Sequence, residues 1–272
     1  MTGADTAARS LAHWSEAGRA EMEAFYALAT EDYRQLALAA DWPALLAARA
    51  REGWRLLDVA CGSGKFPRAL ATHTDLSALP ALAYDLLDPS QFSVREAAAQ
   101  LEPPFVPAAE LVLPLQELSP DAGPYDVVWA THALYALPPA ELPDAARRLV
   151  GALRPGGLGF VAHATARSHY LAFYDAYRAG VRDATPYTSA EQVREALETA
   201  GAEVRTELVT YRSGTDDRAT AEGFLQRCAF DDSVTLEQMQ EAPVLGDYLA
   251  GCRDGEHWSF SHEVALLWLE GL

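Results

Sequence analysis

Residues 58–64 read Asp-Val-Ala-Cys-Gly-Ser-Gly and follow the apolar stretch 54–57. An acid at a strand end, then a loop of small residues, lets backbone N–H groups approach a polar ligand closely. Three ligand classes use such a loop. A triphosphate loop needs Gly-x-x-x-x-Gly-Lys-Ser/Thr, but here Gly64-Lys65 precedes Phe66 and Val59 stands at the first glycine. The hydroxyl that would hold magnesium is missing, which excludes this class. A dinucleotide loop needs Gly-x-Gly-x-x-Gly. Gly62 and Gly64 fit, but Pro67 occupies the third position, where glycine permits close helix–strand contact.

S-adenosylmethionine (SAM) is the remaining ligand. Asp58-x-Ala60-x-Gly62-x-Gly64 resembles motif I of class I SAM-dependent methyltransferases, Asp/Glu-x-Gly-x-Gly-x-Gly, with Ala60 at the first glycine. The resemblance implies that Asp58, Ala60, Cys61, Gly62 and Gly64 hold the cofactor. It also implies an acid at the end of the second strand, where a carboxylate accepts from both ribose hydroxyls. Asp88, just before Pro89, is the first choice and Asp85 the second. Pro89, Ser93 and Thr131 complete the expected cofactor contacts. The stretches "PYDVVWATHALYAL" and "LRPGGLGFVAH" resemble the family's motif IV and the element that delivers the fifth strand.

A finer resemblance concerns the substrate. Asp88-Pro89-Ser90, "HALYAL" and the C-terminal "GFLQRCAF…WSFSHEVALLWL" are similar to the histamine N-methyltransferase group of small-molecule enzymes. That resemblance implies an acceptor held by Glu31 from the N-terminal helices, by His132 after strand four, and by His262 in the closing strand. Phe25, Tyr135 and Tyr170 would line the pocket. His132 is the expected catalytic residue, and His163 a further candidate at the end of strand five. An amine acceptor needs no strong base, only delivery unprotonated. Oxygen or carbon acceptors, the alternative, need a proton removed, for which His132 is the nearest group.

These residues need a frame. Strand-like "WRLLDVA", "ALAYDLLD", "ELVLPL", "PYDVVWATHA" and "LGFVAHA" alternate with helical stretches. The alternation predicts a Rossmann-like, doubly wound α/β sheet of seven strands. The final strands are "EVRTELVTYRS" and "HWSFSHEVALLWL", the last antiparallel as in the family. Residues 1–50 read as a helical cap, with Leu11, Trp14, Phe25, Leu28 and Leu36 at helical spacing and Asp41 as an N-cap. Residues 51–272 form the methyltransferase domain, with a helical insertion at about 217–252.

The charge is −18, with 39 acids against 21 Lys and Arg. Such a chain repels phosphate backbones, which excludes nucleic acid as a partner and favours a neutral or cationic small molecule. Cys61, Cys228 and Cys252 are widely spaced, so neither a disulfide framework nor a metal site is expected. With no signal peptide and no membrane-length apolar run, the sequence reads as cytoplasmic, a monomer or homodimer. The Ala/Arg/Leu-rich, Lys-poor composition suggests a bacterial natural-product pathway.

Overall fold

The computed structural model describes residues 4–13 and 19–270. Helices α1 (Ala4–His13), α2 (Arg19–Leu38) and α3 (Trp42–Ala47) precede the sheet. Trp14, expected on their apolar stripe, lies outside the described residues. Asp41 caps α3, accepting from the Ala44 N–H at 3.1 Å. The alternation then runs β1 (Arg55–Val59), α4 (Lys65–His73), β2 (Leu82–Leu87), α5 (Gln91–Gln100), β3 (Phe105–Leu111), β4 (Tyr125–Thr131), α6 (Leu142–Ala152) and β5 (Leu153–Ala164). There follow α7 (His169–Gly180), α8 (Ala190–Thr199), β6 (Glu203–Thr215), α9 (Arg218–Ala229), α10 (Leu236–Glu241), α11 (Leu245–Gly251), a two-residue β7 (Arg253–Asp254) and β8 (His257–Glu270).

The sheet order is β3-β2-β1-β4-β5-β8-β6, with β7 paired to β8. Strands β1 to β5 pair in parallel, and β8 runs antiparallel between β5 and β6. This is the doubly wound fold expected, with its last long strand reversed. The third strand begins earlier than its apolar pattern suggested, at Phe105 instead of Glu110. It is an edge strand with mostly solvent-facing residues, so alternation there is weak and Pro107 is tolerated. Leu113 and Leu115, which drew attention to "ELVLPL", pack into the core from a loop and a single 3-10 turn instead.

Alternate residues of the central strands feed two cores. Leu56, Val127, Trp129, Phe160 and Trp268 face α3, α4 and α5, whereas Leu57, Val128, Val161 and Leu267 face α6 and α8. Trp42 of α3 anchors the first core. Its ring meets Phe66, Trp129, Phe160 and Trp268 at centroid distances of 4.9–6.2 Å, and its Nε1–H donates to the Leu36 carbonyl at 2.9 Å. Truncating a fully buried Trp of this kind costs about 3–5 kcal/mol, so α3 is bound to the sheet and not a loose leader. A third cluster joins α7, α9, α10 and α11 to Leu28 and Ala29 of α2 and to the start of β8. Helix α2 thereby spans from this third cluster to the first core, and its middle crosses the carboxyl ends of the strands.

Candidate functional site

Strand β1 lies between β2 and β4, and the chain winds outward in opposite directions from this point. The strand ends diverge there, leaving a crevice. A cavity of about 370 Å³ occupies it, bordered by Val59, Leu87 and Thr131 at the ends of β1, β2 and β4. Segments from α2, α7 and α9 close the far side.

The near wall is the loop after β1. Ala60, Gly62 and Gly64 all have positive φ, at 51°, 50° and 71°. In that left-handed region an L side chain costs roughly 1–2 kcal/mol, so Ala60 sits where glycine is the relaxed choice. Space above Gly62 is open, whereas a Cβ on Gly64 would meet Ala97 of α5 at 3.1 Å. Gly62 therefore faces the cavity, and Gly64 lets α4 and α5 close together. Asp88 Oδ2 accepts from the Gly62 N–H at 3.1 Å, and its Oδ1 accepts from the Ser90 N–H at 2.8 Å. Each oxygen keeps lone-pair capacity toward the cavity, enough for two hydroxyls of a diol. Burial raises the Asp88 carboxyl to about 6, opposed by those two backbone N–H groups. Ala60, Cys61, Gly62, Asp88, Pro89 and Thr131 all line the cavity.

Three expected cofactor contacts stand outside that wall. Asp58 is buried within the sheet, accepting from the Tyr84 hydroxyl at 2.6 Å, and burial raises it to about 7. It braces the loop from behind. Gly64 acts through packing, as above. Ser93 is buried in the first turn of α5, its N–H bonded to the Ser90 hydroxyl that caps the helix. Asp85, the second choice for the diol, is taken by Arg55 and by the Tyr125 hydroxyl.

The far wall carries the other polar groups. His132 has φ 53°, immediately after β4, and its N–H reaches the Ala162 carbonyl at 2.9 Å. Its Nδ1 lies 2.7 Å from the Tyr135 hydroxyl, which itself accepts from the Ala164 N–H at 3.2 Å. The Tyr135 hydroxyl can donate to Nδ1 or accept from it, so the contact serves either neutral tautomer. Nε2 is buried without a hydrogen-bond partner. Burial drives the ring down to about 3, with His163 and His262 adding to the shift, so it is neutral at ordinary pH. Tyr33 and Tyr170 pack edge-on to it at 5.8 and 6.1 Å.

The acid of this wall is Asp32, not Glu31. Glu31 lies outside the cavity wall, bound by Arg34 at 2.8 Å and by Gln35 at 2.7 Å on the outer side of α2. Asp32 lines the cavity and is buried to 2 % exposure. Its Oδ2 accepts from the Tyr170 hydroxyl, while Oδ1 has no partner of standard geometry although the Tyr211 hydroxyl also faces the carboxyl. Burial raises Asp32 to about 7, against the lowering effect of both tyrosines. Helical phase carries the missed signal. Leu28, Ala29, Asp32 and Leu36 fall three and four residues apart on the buried stripe, and Glu31 falls off it.

Phe25, Tyr135 and Tyr170 line the cavity as expected, together with Tyr33, Tyr187, Cys228 and Phe230, which sequence reasoning left as packing or unassigned. His262 does not. It is buried behind Tyr170, ring centroids 4.9 Å apart, with Nε2 2.9 Å from the Ser213 hydroxyl. Its contribution is to seat Tyr170. His163 likewise stays outside, donating from Nε2 to the Thr188 carbonyl at 3.0 Å and stacking on Tyr135 at 4.1 Å.

A family model described as a methyltransferase domain matches residues 30–207. Among solved structures, the chain is similar to a protein of Bacillus halodurans C-125 described as a candidate methyltransferase. The two are 18% identical over 84% of this chain and 97% of that one, with TM-score 0.54. It is also similar to the YcgJ protein of Bacillus subtilis, at 13% identity, 84% and 97% coverage and TM-score 0.54. The magnesium protoporphyrin IX methyltransferase of Synechocystis PCC 6803, solved with bound S-adenosylhomocysteine, matches at 13% identity, 94% and 96% coverage and TM-score 0.51. At these identities the likeness is one of fold. Among the described residues no helix is long and apolar enough to cross a membrane.

Proposed function

The chain belongs to the methyltransferase domain family, and on that premise we propose that it methylates the nitrogen of a small amine. SAM is the cofactor, and the near wall fits it: an open cradle over Gly62 and a diol acceptor in Asp88. The observation that carries the amine reading is Asp32, a carboxyl on the opposite wall, buried to 2 % exposure with no cation paired to it among the described residues. A buried carboxylate without a countercharge is costly, so a cationic acceptor is selected over a neutral one. The likeness to the histamine N-methyltransferase group supports the same choice, with Asp32 in the part expected of Glu31.

Bound SAM supplies a methyl group on a positively charged sulfur. The protein must hold the nitrogen in line with it and exclude water, which is worth on the order of 7–11 kcal/mol. Asp32 draws an ammonium into the cavity and takes one of its protons. A carboxyl raised to about 7 is a better proton acceptor than an ordinary aspartate. The nitrogen lone pair is then free to attack, and the charge that appears on the methylated nitrogen lies beside the rings of Tyr33 and Tyr170. Aromatic faces stabilise such a cation by about 0.5–2 kcal/mol. His132, neutral and on the same wall, helps to orient the acceptor. Tyr135 fixes His132, and Tyr170 fixes Asp32.

The same network weighs against methylation of oxygen or carbon with His132 as base. A ring lowered to about 3 is a weak base. The composition supports a place in bacterial secondary metabolism. The reading is tested by turnover of an amine panel, scored by product mass, with wild type and Asp32→Asn, alongside calorimetry with S-adenosylhomocysteine. Loss of turnover with cofactor affinity retained is expected. Equal turnover by the variant would overturn the amine reading.

A further inference from the structure

The chain contains one lysine, Lys65, placed directly after the glycine loop. It opens α4 and lines the cavity. Its ammonium sits 4.4 Å from the ring centroid of Tyr26, and no carboxylate among the described residues forms an ion pair with it. The Ser63 hydroxyl, itself buried to 7 % exposure, donates to the Tyr26 hydroxyl at 3.4 Å, and both residues line the same corner. The corner therefore gathers a cation, a serine hydroxyl and a tyrosine hydroxyl beside Gly62. Arg227, the other Lys or Arg of the cavity wall, is fully buried on α9 and has partners of its own.

A half-buried ammonium with no close ion pair is unusual in a chain of charge −18, Glu96 acting on it only from longer range. The same net charge repels any anionic group that approaches, unless a local cation offsets it. SAM and its product each carry one carboxylate, on the amino-acid end. With Asp88 at the diol, the amino-acid end falls toward the loop residues between Ala60 and Lys65. We propose that Lys65 is the receptor for the cofactor's carboxylate: Lys65 supplies the charge, and Ser63 holds Tyr26, whose ring faces the ammonium. The Tyr26 ring holds the ammonium in place by a cation–π contact and limits its freedom before the ligand arrives. This rests on the cofactor and is independent of the acceptor's identity.

The test compares two ligands that differ at that end. S-adenosylhomocysteine has the carboxylate, and 5′-methylthioadenosine lacks the amino-acid part but keeps the diol and adenine. Calorimetry on wild type, Lys65→Met and Lys65→Arg should show about a tenfold or larger loss for S-adenosylhomocysteine in Lys65→Met. Affinity for 5′-methylthioadenosine should be unchanged, and Lys65→Arg should recover most of the loss. Equal losses for both ligands, or none for either, would overturn the assignment. A second readout needs no variant. Reductive methylation of the native protein, followed by mass spectrometry of the peptide containing Lys65, reports that amine alone among side chains. Saturating S-adenosylhomocysteine should slow its modification and saturating 5′-methylthioadenosine should not. Equal protection by both would mean simple coverage, and protection by neither would mean no contact; either result overturns the proposal.

Discussion

The two walls of the cavity are built in different ways. The near wall comes almost wholly from two short segments, Ala60–Phe66 and Leu87–Pro89, at the ends of adjacent parallel strands. Its key contacts are made by backbone, as in the Gly62 and Ser90 N–H groups that meet Asp88. The far wall draws Asp32 from α2, His132 and Tyr135 from the end of β4, Tyr170 from α7 and Cys228 from α9. Its contacts are made by side chains reaching across as many as 138 residues, as from Tyr170 to Asp32. A backbone-built wall is set by local turn chemistry, which suits a shared cofactor. A side-chain-built wall can be rewritten one residue at a time, which suits the choice of an acceptor, as proposed above.

This contrast predicts that damage to the two walls separates in the measurements. The largest effect is expected at Asp32. Asp32→Asn should lower turnover by about 10²–10⁴-fold, the range of a positioned proton acceptor, while calorimetry shows S-adenosylhomocysteine affinity unchanged. A parallel loss of affinity would merge the walls and break the comparison. Next is Asp88→Ala, which should weaken the same ligand by about 10- to 100-fold, since hydrogen bonds to a charged group contribute about 1.5–3 kcal/mol. Undiminished binding would remove Asp88 from the diol.

Acidity provides a finer separation. Asp88 and Asp32 are both raised, to about 6 and about 7, so each carries its charge only above that pH. Cofactor affinity should fall as pH drops through about 6, approaching tenfold per unit. Turnover at saturating cofactor should rise with pH through about 7, as Asp32 loses its proton. One shared inflection in both measurements would contradict the assignment. Smaller still is Ala60→Gly. Relief of the positive φ, less the entropy of a more flexible unfolded chain, should raise stability by about 1 kcal/mol or less, read from the urea midpoint. Last, Glu31→Gln should leave cofactor affinity and turnover unchanged, because that acid serves Arg34 and Gln35 on the outer side of α2.

The legibility of the two walls follows from how they are made. The loop after β1 could be read by elimination, since Phe66 and Pro67 each break a competing pattern within a few residues. The place of Asp88 on the cavity wall was legible for the same reason: it ends a strand and precedes a proline and a helix cap. Ser93 lies behind that wall because a helix-capping network is a local alternative use of the same polar residues. On the far wall, the family resemblance points to Glu31, whereas the phase of α2 against Leu28, Ala29 and Leu36 selects its neighbour. The family resemblance puts His262 in the pocket, and as a polar residue in an apolar strand it fits a core histidine equally well. Only the packing reveals that Tyr170 stands between it and the cavity.

The sequence by itself determined the sheet, its doubly wound order and the cofactor loop. Strand and helix periodicities, glycine at positive φ and the strand-end acid are consequences of nearest-neighbour geometry, which a linear string records. The tertiary structure alone decided which acid enters the cavity, which histidines stay behind its wall, and which cations line it. Those outcomes depend on the packing and desolvation of side chains from distant elements. Such relations exist only once α2, α7 and α9 have closed over the strand ends.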